Sequence, residues 1–209
     1  MAYRFLEIAS TPSVRAAQAA NGSSDFWNDF KGNRSFDRFT GVEADFIAAC
    51  DGFYMATVSE SGWPYVQHRG GPPGFLRVLD DKRLAFADFR GNRQYISLGN
   101  AAANDRAALI LMDYPRRRRL KIYAHIEAKA LAADPALAEE VALPGYRAKP
   151  ERAFLLHLEA FDWNCPQHIT PRFSEMELEP VLTSLRTRLE QLEAENKALR
   201  EKANHAKEE

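Results

Sequence analysis

The chain of 209 residues carries 28 Lys and Arg against 29 Asp and Glu, a net charge of -1, and 45% of its residues are hydrophobic. That is apolar material for one sizeable core plus an appendage, which excludes global disorder. The charge balance excludes a chain-wide reason to bind nucleic acid or an anionic membrane, so an anion site must be a local basic cluster.

The start, Met1 to Ile8, lacks a long apolar stretch and is interrupted by Glu7, so no signal peptide is expected. No apolar run approaches the ~20 residues that span a bilayer, and the expected location is the cytoplasm. Cys50 and Cys165 have no CxxC spacing, which argues against a disulfide framework and a cysteine-rich zinc site. Thr11-Pro12 predicts a helix with Thr11 as N-cap and Pro12 at its first position, ending at Asn21-Gly22. Ser23 to Thr40, polar with Phe26, Trp27, Phe30, Phe36 and Phe39 interspersed, reads as a loop wrapping a surface. Glu43 to Cys50 predicts a second helix, stopped by Asp51-Gly52.

From Phe53 the texture becomes β-rich. Phe53 to Ser59 and Trp63 to Arg69 flank a turn and form a hairpin. Gly70 to Gly74 is a loop. Phe75 to Leu79 and Leu84 to Asp88 form a second hairpin around Asp80 to Arg83. Asn92 to Ala102, just after Gly91, is expected to be helical. Arg106 to Asp113 and Leu120 to Ala130 form a third hairpin across Tyr114-Pro115-Arg116. In its second strand Leu120, Ile122, Ala124 and Ile126 alternate with Lys121, Tyr123, His125 and Glu127, a period of two. Asp134 to Val141 is a short helix, and Ala153 to Phe161 is the last strand. Six or seven strands at hairpin spacing, with short helices and no βαβ alternation, predict a mainly β (α+β) antiparallel barrel with helical decorations.

The C-terminal segment, 174–209, is set apart from the domain at 1–173. Leu182, Leu185, Leu189, Leu192, Asn196 and Leu199 step by three and four, a coiled-coil heptad with 182, 189 and 196 at a and 185, 192 and 199 at d. Arg188 at g precedes Glu193 at e, and Glu195 at g precedes Arg200 at e, so a parallel pair joins opposite charges. Asn196 at a suits a parallel two-stranded coil. The alternative is an amphipathic helix folded back on its own domain.

Glycine-rich nucleotide loops, nucleophile elbows and HExxH are missing. The histidines are scattered, and nothing argues for a metal. Three segments could carry chemistry. Gln67-His68-Arg69 followed by Gly70-Gly71 can offer a guanidinium and backbone N–H groups to a phosphate, or can be a tight barrel corner. Phe86 to Ser97 runs from a strand through Gly91 to an expected helix start, where N–H groups bind anions and Arg93, with Arg90, adds charge. The other reading is a capped surface helix. Phe161 to Arg172, with Trp163, Asn164, Pro166, Gln167, His168 and Pro171, is either a rigid segment that places side chains or a linker into the coil. The run Arg116 to Arg119 reads first as a solvated turn, then as a phosphate contact; a nucleic-acid patch comes last, since stacking aromatics are sparse nearby.

The succession QHRGGPPGF, LAFADFRGNRQYIS, LMDYPRRRRLKIYA and FDWNCPQHITPR resembles the flavin-nucleotide-binding proteins related to pyridoxamine 5′-phosphate oxidase, from about Pro12 to Arg172. The resemblance implies a six-stranded split barrel, a homodimer, and FMN in clefts between subunits. It implies Arg69 and Arg93 at the FMN phosphate, with Asn92, Gln94 and Ser97 in support. Trp163 and Arg172 match the family's C-terminal Trp and Arg near the flavin, Gln167 and His168 lie between them, and Arg77 is a further candidate. The arginine–x–histidine–aspartate arrangement that the oxidase uses on its substrate is replaced by Gln167-His168-Ile169-Thr170. Flavin binding therefore carries over better than the oxidase reaction. The expected function is that of an FMN-dependent oxidoreductase of unknown substrate, with His168 the one catalytic candidate. The alternatives are a non-catalytic flavin-binding or sensing module and a split barrel holding haem or a deazaflavin.

Overall fold

A computed structural model of the protein describes residues 3–24, 35–163 and 166–208. Phe26, Trp27 and Phe30 of the expected wrapping loop lie outside the described residues, as do Asn164 and Cys165. The first helices follow from their caps. After α1 (Arg4–Ala9), α2 (Pro12–Ala20) begins where Thr11 Oγ1 accepts from the backbone N–H of Val14 at 3.4 Å, with Pro12 in the first turn. In α3 (Gly41–Ala49) Thr40 and Glu43 form a reciprocal capping box, the Thr40 N–H reaching Glu43 Oε2 at 3.0 Å.

Seven strands follow: β1 (Gly52–Val58), β2 (Pro64–Gly70), β3 (Arg77–Val78), β4 (Arg83–Phe89), β5 (Arg106–Asp113), β6 (Arg118–Lys129) and β7 (Pro150–Trp163). They form one antiparallel sheet in the order β2-β1-β5-β6-β7-β4-β3, whose ends do not pair. Six strands become seven because β3 survives as a separate two-residue edge. The longer strand expected from Phe75 does not form: Pro72 O accepts from Phe75 N at 3.0 Å in a turn, and Gly74 takes φ 83°, the left-handed region. Phe75 and Leu76 are instead driven into the core by burial.

The period of two in β6 sets the inner face. Leu120, Ile122, Ala124 and Ile126 are buried with Phe53, Met55, Leu109, Phe154, Leu156 and Phe161, and α3 adds Phe46 and Ile47. Burying each large apolar side chain contributes roughly 1.5–3 kcal/mol. β4 is buried on both faces: Leu84 and Phe86 join the main core, while Ala85 and Ala87 meet Leu137 and Val141 at and beside the short helix Pro135–Glu140. Between β4 and β5 lies α4 (Ile96–Ala103), and the helix Pro135–Glu140 is α5.

The two edge strands β2 and β3 are consecutive in sequence, joined by residues 71–76. The sheet therefore curls until its edges approach without hydrogen-bonding, a split barrel. Gly71 makes the corner possible, since a Cβ there would come within 2.7 Å of the Phe75 side chain. Contacts divide the chain into two compact units, the first Met1–Asp113 with Arg117–Ile169 and the second Tyr114–Arg116 with Thr170–Glu209. The second contains α6 (Glu175–Glu208), capped by Ser174, whose Oγ accepts from Glu177 N at 3.3 Å. Among the described residues no helix is long and apolar enough to cross a membrane.

Candidate functional site at the split of the sheet

Where β2 and β4 diverge, the first unit holds a cavity of about 190 Å³. Its walls come from β2 (Tyr65, Gln67, Arg69), from the end of β4 (Asp88, Phe89) and from the segment Gly91 to Leu98 that leads into α4. It gathers five side chains singled out in the sequence: Arg69, Asn92, Arg93, Gln94 and Ser97.

The charge arrangement begins with Asp88, 6% exposed. Arg69 donates to one of its oxygens at 2.6 Å across the split, and Arg152 donates to the other at 2.6 Å from β7, where the two residues are cross-strand partners. A buried carboxylate is costly unless paired and hydrogen-bonded, and this one has both. Burial pulls the Arg152 guanidinium down, but its bond to Asp88 and the charges of Asp88 and Glu151 outweigh this and raise it above the usual arginine value. Arg152 also lies over the Tyr95 ring at 5.1 Å. Arg69 Nε is buried without a hydrogen-bond partner among the described residues. Arg93 has no ion-pair partner among the described residues.

The helix does not start at Asn92 as the sequence suggests. The Asn92 side chain accepts from Gln94 N at 3.1 Å, a local turn that competes with helical hydrogen bonding. Arg93 (φ 61°) and Tyr95 (φ 52°) are left-handed, and α4 begins only at Ile96. Non-glycine residues in that region carry strain, here concentrated in the cavity wall. Ser97 donates to Gln67 Oε1 at 3.3 Å and Asn100 to Thr57 Oγ1 at 3.0 Å, which tie α4 to β2 and β1.

The other candidates lie elsewhere. Arg77, on β3, has a buried Nε with no hydrogen-bond partner among the described residues and is not in the cavity wall. Trp163 ends β7 and donates from Nε1 to Glu43 Oε1 at 2.7 Å; the Arg118 guanidinium lies 4.6 Å from its ring centre and Phe46 meets it edge-on. Burial pushes the Glu43 carboxyl up, but hydrogen bonds from Thr40 and Trp163 outweigh it and hold the pKa below the usual glutamate value. Gln167 and His168 form an exposed turn, His168 with φ 63°. Arg172 belongs to the second unit, over Tyr114 at 4.9 Å. Burial pushes the Cys50 thiol up to about 12, which removes it as a nucleophile at neutral pH. Among the described residues no group of three or more His, Cys, Asp or Glu is placed to hold a metal ion.

Asp88, Arg152 and Tyr95 were not candidates from sequence. An acid inside the apolar run of β4 was a usable signal for a buried cation nearby. Arg152 carried no local signal, because only the β4–β7 register brings it there.

The family model described as pyridoxamine 5′-phosphate oxidase matches residues 39–160, more than half of the chain. The chain belongs to the pyridoxamine 5′-phosphate oxidase family. The matched residues include β1 to β6 and most of β7, and hence Arg69, Asp88, Arg93 and Arg152. Among solved structures, the chain is similar to a putative pyridoxamine 5′-phosphate oxidase from Lactobacillus delbrueckii (21% identity, 60% of this chain and 94% of that one, TM-score 0.46). It is also similar to HupZ of Group A Streptococcus (17%, 65% and 99%, TM-score 0.46) and to an FMN-binding protein from Syntrophomonas wolfei (12%, 73% and 95%, TM-score 0.42). No curated protein matches the chain.

Proposed function

We propose that the cavity at the split takes the phosphate end of FMN and that the protein is a flavin-dependent oxidoreductase. The observation that carries this reading is the convergence of Arg69, with its unpartnered buried Nε, and the unpaired Arg93 on one polar cavity. Of the charged side chains in the wall, two arginines face one carboxylate, which leaves a positive excess for a phosphate. Asn92, Gln94 and Ser97 supply further polar groups at the same wall. Bound flavin supplies electron or hydride transfer, and the chain's residues hold and orient it.

A volume of about 190 Å³ falls below the ~300–1,000 Å³ of sites that bury most of a ligand of this size. One chain thus encloses the phosphate end, and a second chain is needed to cover the ring. This supports a homodimer with shared sites. A non-catalytic flavin-binding role is the second reading, favoured by a cavity wall with no histidine, cysteine or lysine to serve as acid or base.

Purified protein is expected to be yellow and to release FMN on boiling. Arg93→Ala should weaken FMN about tenfold or more while leaving riboflavin affinity nearly unchanged, since charge-assisted hydrogen bonds contribute ~1.5–3 kcal/mol. Equal losses for both ligands would remove Arg93 from the phosphate. Anaerobic bleaching by NADH or NADPH separates the enzyme from the binding module.

A further inference from the structure

The flavin reading leaves one large feature unused. The second unit presents α6, whose 34 residues bury no leucine stripe. Leu178, Leu182, Leu185, Leu189, Leu192 and Leu199 are 39–65% exposed. Their spacing continues the heptad one step upstream, placing Leu178 at d. Pro180, inside the first turns, leaves the carbonyl of Met176 without its helical N–H, and the unbroken repeat begins just after it at Leu182. Apolar surface in a single narrow stripe is the geometry of a helix built to meet another helix.

Charge complementarity identifies the occupant as a second copy. In a parallel pair Arg188 meets Glu193 of the other copy, and Glu195 meets Arg200. An antiparallel pair is also complementary in charge: with Leu182 level with Leu199, Arg188 meets Glu195 and Arg186 meets Glu193. The ion pairs therefore select self-association without selecting direction. Asn196 selects direction. In the parallel arrangement it faces its own copy, and two amides hydrogen-bond across the seam. In the antiparallel arrangement it faces Leu185, leaving an unpartnered buried amide twice per dimer.

We infer that α6 is a homotypic docking surface, pairing in parallel with α6 of a second copy through Leu182 to Leu199, its direction set by Asn196. The inference does not depend on the flavin.

Oxidative cross-linking of the full chain tests it. Leu199→Cys is compared with Lys197→Cys, an outward b position, and with the wild-type chain at low micromolar concentration in a glutathione redox buffer. A parallel pair puts the two copies of position 199 side by side; an antiparallel one separates them by about 25 Å at ~1.5 Å per residue. The expected result is a covalent dimer from Leu199→Cys at least tenfold more abundant than from Lys197→Cys or wild type. Adding Asn196→Leu to Leu199→Cys should reduce that preference, and mixing it with Leu182→Cys should then yield cross-linked mixed dimers. No cross-link from Leu199→Cys overturns the inference. So does cross-linking of separately made Leu182→Cys and Leu199→Cys chains with Asn196 intact, which would mean an antiparallel pair. Equal cross-linking at 197 and 199 also overturns it, since contact would then be random.

Discussion

Two clusters of polar and aromatic side chains in the first unit looked alike in sequence and differ in structure. Around Trp163, the indole N–H is engaged by Glu43, and its ring by Phe46 and by the Arg118 guanidinium. At the split, Arg69 is half-engaged by Asp88 and Arg93 has no ion-pair partner among the described residues, and both border open space. Residue type alone does not tell the two apart. What separates them is whether the fold already satisfies the groups.

The sharpest way to break this contrast is to remove Asp88. Asp88→Ala leaves Arg69 and Arg152 largely buried with no carboxylate between them, and should destabilise the protein by roughly 3 kcal/mol, read from urea midpoints. A loss below ~1 kcal/mol would mean that the guanidinium groups find water or each other's neighbours at little cost. Next, Trp163→Phe deprives the buried Glu43 of a donor and should cost about 1–2 kcal/mol while changing FMN affinity less than threefold. A large change in flavin affinity with unchanged stability would reverse the assignment of the two clusters.

The smallest expected effect is a pH dependence. Glu43 has its folded pKa lowered, so its contribution is fully present above the ordinary glutamate range, ~4.3, and is lost as pH falls through the lower folded value. Between pH 5 and 3 the wild type should lose more stability than Glu43→Gln, read from urea midpoints at each pH. Parallel stability curves would take the charge of Glu43 out of the account.

Much of the fold was legible because it is local. The alternation in β6, the Thr11-Pro12 start of α2 and the three hairpin turns each follow from residues within one turn or strand of each other. The cavity was legible in half. Arg69, Asn92, Arg93, Gln94 and Ser97 lie on two short segments whose chemistry can be read directly. Arg152 becomes a neighbour of Asp88 only through strand pairing between distant parts of the chain, and Trp163 meets a glutamate 120 positions away. The helix start moved from Asn92 to Ile96 because one amide side chain captured a backbone N–H, a contest of hydrogen bonds that propensity does not rank.

The position of β7 has a consequence for how the chain is made. β7 pairs with β6 on one side and β4 on the other, and it is the last strand of the sheet in sequence. On the ribosome, β1, β2, β5 and β6 can pair as soon as they emerge, while β4, apolar on both faces, has only the two-residue β3 beside it until Pro150 and the residues after it arrive. Such long-range closure is slow, and an unpaired apolar strand invites capture by other chains. A chain arrested between Phe89 and Pro150 should therefore depend on chaperones more than one arrested after Trp163.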